Sequence, residues 1–211
     1  MNELYNVIKK NNNIKSVFFL KDLNNFGFEK KYLDEMLNEL VIKSEIYHIK
    51  NNIYTLGRIL RKELVSEQIL SNMLVNESYI SMEFVLSQIS WIPENVYVIT
   101  CVTNRNSMKI NTKYGNFEYI NILQKNYFAG VNKYTENGYS FYKAKPLKAL
   151  ADMIYDRKYN WNSLHPLHNS LRIEYEDLET LTKDDFDELQ GVYNDKNVEN
   201  FLYGIRKELL L

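Results

Sequence analysis

Residues 28–57 constrain this chain more than any other stretch. Leu33, Met36, Leu37 and Leu40 fall at i, i+3, i+4 and i+7, which puts all four on one buried stripe of a helix over about 28–41. Directly afterwards Ile46, Tyr47, His48 and Ile49 lead into a polar turn at Lys50, Asn51 and Asn52, and Ile53, Tyr54, Thr55 and Leu56 lead out to Gly57. Strand-forming residues on both sides of a polar tip, closed by glycine, predict a short hairpin.

Upstream, Leu4, Val7 and Ile8 have helical spacing until Asn11, Asn12 and Asn13 break the pattern, so a first helix is expected to end there. Phe18 and Phe19 enter a short strand or the next helix, and Leu20, Leu23 and Phe26 supply a second helix and turn before Gly27. Helix, helix-turn, helix and hairpin in that order predict a winged helix-turn-helix over 1–62, and a wing implies a nucleic-acid partner. Net charge supports the division. The whole chain carries −1, but residues 1–62 hold 11 Lys+Arg against 7 Asp+Glu, whereas 63–211 hold 15 against 20. Only the first part, at +4, has the balance of a polyanion-binding module.

Candidate DNA contacts follow from this placement. Lys30, Lys31 and Tyr32 open the third helix, where a recognition helix meets base edges and where free amides and the helix dipole favour phosphate. Lys43, Lys50, Asn51 and Asn52 are placed to approach the DNA backbone or minor groove from the wing, and His48 lies on the hairpin as well. Asp34, Glu35, Asn38 and Glu39 share the exposed side of the helix, and Glu35 and Glu39 repel phosphate wherever they face it. An ordinary solvated helix and a polar turn account for the same residues.

A helical linker is expected from Arg58 to about Val75, with Ile59, Leu60, Leu64, Ile69 and Leu70 available for packing; 63–75 separates the first domain from a second over 76–211. There Ser81 is placed to cap a helix through Gln88, strands are expected at 96–102, 117–122 and 139–142, and Pro146 opens a helix with Leu147, Leu150, Ala151 and Ile154 on its apolar face. Eight carboxylates between Glu174 and Glu188 face a single Lys183. Thr182 and Asp185 have capping-box spacing for a helix into Tyr193, and Val198, Phe201, Leu202, Ile205 and Leu209 line a last helix. The fold class is α+β, with a mixed α/β second domain.

Little in the chain points to catalysis. Cys101 is the only cysteine and sits between strand residues, so it is expected to be buried. His165 and His168 lack a metal-site companion set and are expected in a loop. Lys148 and Asp152, like Asp152 and Asp156, share a helical face at i, i+4, which predicts a local ion pair or helix-end contact. None of the seven glycines builds a phosphate-binding loop. The tyrosines concentrate in the acidic half, at Tyr114, Tyr119, Tyr127, Tyr134, Tyr139 and Tyr142, where sheet packing is preferred to base stacking. No apolar run reaches membrane-spanning length and no secretory signal opens the chain, so the expectation is a cytoplasmic, non-enzymatic protein without metal or cofactor.

A second pattern lies beyond the hairpin. After IYTLG at 53–57 come YIS at 79–81 with Leu86, a Thr-ending strand at 98–103, GxFxY at 115–119 and PxKALxD at 146–152. In order and spacing this succession resembles the AbiEi family of type IV antitoxins, over most of residues 1–155. Phe84 and Val85 stand where the family more often has small residues, and the first module has only two arginines. The resemblance implies an antitoxin that represses its own operon by binding inverted repeats in promoter duplex DNA. It further implies a C-terminal domain that counters a nucleotidyltransferase-like toxin without a stable complex. A protein-binding antitoxin, a solitary regulator whose acidic domain contacts a protein, and an antitoxin that enzymatically reverses the toxin's chemistry are the competing readings.

Overall fold

The computed structural model describes residues 2–11 and 14–211; the expected helix break at Asn12 and Asn13 lies outside them. The fold is mixed α+β, with a small three-stranded sheet near the N-terminus and a six-stranded sheet after it. Among the described residues no helix is long and apolar enough to cross a membrane.

The first unit opens with α1 (Glu3–Lys10), followed by β1 (Val17–Phe19), a 3-10 turn (Leu20–Phe26) and α2 (Lys30–Ile42). The hairpin strands β2 (Ile46–Lys50) and β3 (Ile53–Leu56) complete it. Asn2 caps α1, its Oδ1 accepting from the Tyr5 amide at 3.2 Å, while its Nδ2 donates to the Met36 carbonyl at 3.0 Å. That side chain therefore fixes α1 against α2 as well as starting a helix. On α2 the predicted stripe of Leu33, Met36, Leu37 and Leu40 is buried and meets Leu4, Ile8, Phe18, Leu23, Ile46 and Leu56. Each such side chain contributes about 1.5–3 kcal/mol on full burial. The expected second helix is realised as the strand plus the 3-10 turn, which stops at Gly27 with φ of +74°.

β1 and β2 both pair antiparallel with β3, giving the sheet order β1–β3–β2. Asn51 takes the left-handed conformation at the hairpin tip, and a register shift falls between His48 and Lys50. Gly57 closes the base for a steric reason. Its amide donates to the Glu45 carbonyl at 2.7 Å, and a Cβ there would lie 2.6 Å from the carbonyl oxygens of Ser44 and Glu45.

The linker differs from expectation. Leu60 and Arg61 amides turn back onto the Gly57 carbonyl, and Ile59 and Leu64 are 89% and 81% exposed instead of packed. Helix begins only where Ser66 caps α3 (Glu67–Leu74), and Ile69, Leu70 and Leu74 of α3 enter the second core. α3 thus packs as a layer of the second unit.

That unit continues with β4 (Tyr79–Ile80), α4 (Met82–Gln88), β5 (Val98–Thr103), β6 (Met108–Thr112), β7 (Gly115–Asn121), β8 (Val131–Glu136) and β9 (Tyr139–Ala144). Helices α5 (Pro146–Arg157), α6 (His165–Leu171), α7 (Tyr175–Leu178), α8 (Lys183–Leu189) and α9 (Lys196–Glu208) follow. The sheet runs β6–β7–β5–β4–β9–β8, with β5–β7 and β4–β9 parallel and the other pairs antiparallel. Strands β4, β6 and β8 had no sequence signal. The expected capping box is present, Thr182 donating through both N and Oγ1 to Asp185 at 3.0 and 2.7 Å, although α8 ends at Leu189, short of Tyr193.

Candidate nucleic-acid interface

Lys30, Lys31 and Tyr32 form the exposed first turn of α2. The first intrahelical bond runs from the Leu33 amide to the Glu29 carbonyl at 2.9 Å, and Glu29 makes no side-chain cap. The three preceding amides accordingly point out of the helix end, beside two lysines that no carboxylate pairs among the described residues. This is the arrangement that attracts phosphate. Glu29, Asp34 and Glu35 are also exposed on the same helix, so the local charge is mixed.

Lys43 is not part of that turn. It caps the opposite end of α2, about 18 Å along the axis from Lys31 at 1.5 Å per residue. There it pairs with Glu39 at 2.5 Å, while the other Glu39 oxygen accepts from Asn2 at 2.8 Å. These hydrogen bonds, Lys43 first and Asn2 second, hold the Glu39 carboxyl below its ordinary value, and Glu39 in turn raises Lys43. The carboxylate expected to repel phosphate is therefore occupied with Lys43, and Lys43 with it.

Asn51 and Asn52 are exposed at the hairpin tip and Lys50 is half-buried beside them. The tip is held internally: the His48 ring bonds the Asn51 carbonyl and lies 4.9 Å from the Tyr54 ring, and the Leu20 amide donates to the Asn52 carbonyl at 2.8 Å. That last bond brings in an exposed cation the sequence reading missed, Lys21, whose ammonium sits 5.1 Å from the Phe19 ring. Lys21 had no periodic signal because its segment is a 3-10 turn.

Asp152 and Lys148 form a second polar centre, completely buried in the second unit. Asp152 Oδ1 accepts from Tyr193 at 2.6 Å, Oδ2 accepts from Ser81 at 2.7 Å, and the Tyr79 hydroxyl bridges both oxygens at 3.2 and 3.0 Å. The Lys148 ammonium lies 3.4 Å from Oδ1, donates to the Tyr193 hydroxyl at 2.8 Å, and donates to Gln124. Ser81 holds the predicted cap position of α4, but its hydroxyl serves Asp152 and makes no cap bond. Burial lowers Lys148 against the opposing pull of Asp152, and burial raises Tyr79 and Tyr193 well above the usual tyrosine range. The phenols remain donors as a result. The loops carrying Gln124 and Tyr193 are joined by the Lys125 amide donating to the Val192 carbonyl at 2.9 Å, which closes the centre over. A reactant would need those loops to open.

The remaining sequence candidates separate from both places. His165 and His168 lie on α6, not in a loop; His168 Nδ1 contacts the Ile173 carbonyl at 3.1 Å and His165 contacts Asn169. No group of three or more metal-ligating side chains occurs among the described residues. Cys101 is fully buried, which pushes its thiol up to about 12. Tyr119 and Tyr127 are in the sheet packing, donating to the Ser71 and Val102 carbonyls at 2.7 and 2.8 Å. No protein-family model and no curated protein matches this chain.

Proposed function

We propose that this chain is a DNA-binding autorepressor and the antitoxin of a type IV toxin–antitoxin pair. In this reading residues 1–62 are a winged helix-turn-helix, α2 lies in the major groove with Lys30, Lys31 and Tyr32 at base edges and phosphate, and the β2–β3 hairpin rests on the adjacent backbone. Asn51 and Asn52 lead from the hairpin, Lys50 and Lys21 add charge, and Lys43 serves chiefly to neutralise Glu39. The second unit counters a nucleotidyltransferase-like toxin without a stable complex, and the protein is neither an enzyme nor cofactor-dependent. One observation carries the DNA reading: the order helix, strand, helical turn, helix, hairpin with sheet order β1–β3–β2, leaving an uncapped α2 N-terminus with two exposed lysines. The antitoxin part rests on the order of sequence patterns that ends in PxKALxD.

Gel shifts on the upstream promoter test it. Affinity is expected to fall steeply with salt, and Lys30→Ala with Lys31→Ala is expected to weaken binding and make the log–log salt slope shallower by about 2, near 0.9 per phosphate contact. Unchanged binding in the double variant removes these lysines from the interface.

The mixed charge of α2, with Glu29, Asp34 and Glu35 exposed among the lysines, favours a second reading in which the first unit is a scaffold and the acidic second unit binds a protein. Co-purification with the neighbouring gene product, together with absent promoter binding, selects that reading.

A further inference from the structure

The hairpin sheet is a layer shared by the two units. One face sends Phe18, Ile46 and Leu56 into the first core, and the other sends Val17 and Ile53 into the second. Polar contacts fasten this rear face. The Tyr139 hydroxyl accepts from the Val17 amide at 2.8 Å and donates to the Val17 carbonyl at 2.6 Å. β1 is an edge strand, so the Tyr139 side chain occupies the position a further strand would take and satisfies the edge. Further across the same face, toward β2, Thr55 bonds the Tyr114 hydroxyl at 2.9 Å, and Lys113 lies over the Tyr47 ring. Lys15 reaches the Gly138 carbonyl at the β8–β9 turn at 2.5 Å.

Two features give this seam room to move. A crevice of about 510 Å³, lined in part by Phe19, Asp22, Phe26, Met73 and Tyr139, opens beside the Val17 contact. β8 is the outer strand of its sheet and exposed along nearly its whole length, so it is the loosely held strand of the hairpin, while β9 is anchored in the second core through Phe141 and Ala144.

We infer that the seam is a regulatory linkage: the β8–β9 hairpin, acting through Tyr139 on β1, sets how the β2–β3 hairpin and α2 meet DNA. A partner that displaces β8–β9 changes DNA affinity, and bound DNA tightens β8–β9 by the same coupling. The inference deepens the DNA reading and rests on it for its functional consequence, while the linkage itself is measurable without DNA.

The test is hydrogen exchange on the full chain, with and without promoter duplex, for the native protein and Tyr139→Phe. Promoter duplex is expected to slow exchange in Tyr139–Ala144 as well as at α2 and the hairpin tip. Tyr139→Phe is expected to accelerate exchange at Val17–Phe19 and in α2 without DNA, to remove the remote protection, and to weaken binding by about 5- to 150-fold, the range for the two hydrogen bonds lost. Thr55→Val repeats the measurement further along the seam should Tyr139→Phe fold poorly. Protection confined to α2 and the tip, or native-like exchange and transmission in both variants, overturns the linkage. A native chain that ignores the duplex sinks the DNA reading; the exchange of α2 in DNA-free Tyr139→Phe then still decides the linkage.

Discussion

Lys148→Met tests the buried centre most directly. Methionine retains much of the apolar volume of the lysine stem and deletes the ammonium, leaving Asp152 with hydroxyl donors from Tyr79, Ser81 and Tyr193 and no countercharge. Breaking one side of a buried ion pair costs about 3–5 kcal/mol. The three remaining donors favour the lower end, and about 3 kcal/mol corresponds to a fall in melting temperature of about 6–12 °C for a chain of this size. Urea denaturation followed by far-UV circular dichroism measures it. Lys148→Met with Asp152→Asn is expected to recover part of the loss, because the neutral amide removes the unpaired buried charge while its oxygen still accepts from the surrounding hydroxyls. A pH series adds a signature. Burial lowers Lys148 in the folded state, so between that value and about 10.5 the unfolded chain binds more protons, and this residue makes stability rise with pH in that window. Lys148→Met is expected to abolish that component of the rise. Additive single losses in the double variant, or a single loss below about 1 kcal/mol, refute the reading of Lys148 and Asp152 as a coupled buried pair.

Gly57→Ala is expected to destabilise by about 1–3 kcal/mol in the same denaturation assay, since its Cβ meets two carbonyl oxygens at 2.6 Å. Gly191→Ala provides the contrast: nothing lies within 4 Å of its Cβ and φ is +69°, so only backbone strain of about 1–2 kcal/mol applies. Native Cys101 is expected to resist a thiol-specific disulfide reagent at pH 8 until urea unfolds the chain, because the thiol is buried and held up to about 12; rapid native labelling would contradict that burial. Ser81→Ala is expected to cost about 1–3 kcal/mol through the lost Asp152 bond, while a measured loss near zero would mean Tyr79, Tyr193 and Lys148 satisfy that carboxylate alone.

The parts of this fold legible in sequence are those decided within a few residues. The α2 stripe, the hairpin, the Pro146 helix start and the Thr182–Asp185 box all follow from spacing, and each is present. Spacing identifies a face but not what covers it, so Ile59 and Leu64 looked like packing residues and lie exposed, whereas Lys148 and Asp152, expected as a local ion pair or helix-end contact, are paired and completely buried. β6 and β8 escaped because sheet edges tolerate polar residues that carry no alternation strong enough to read. The buried centre escaped for a topological reason: Tyr79, Ser81, Gln124 and Tyr193 reach the α5 pair from segments up to 73 residues away. The candidate DNA contacts divide the same way. Lys30, Lys31 and Tyr32 are consecutive on one helical turn, so their joint exposure follows from local geometry, while Lys43 shares their helix but not their end of it. Lys21 follows Leu20, which an irregular turn bonds to Asn52 of the hairpin tip, and so it had no local signal. A lysine's contribution to an interface is thus set by which loop folds beside it, and the charge surplus of residues 1–62 becomes a surface only through those contacts.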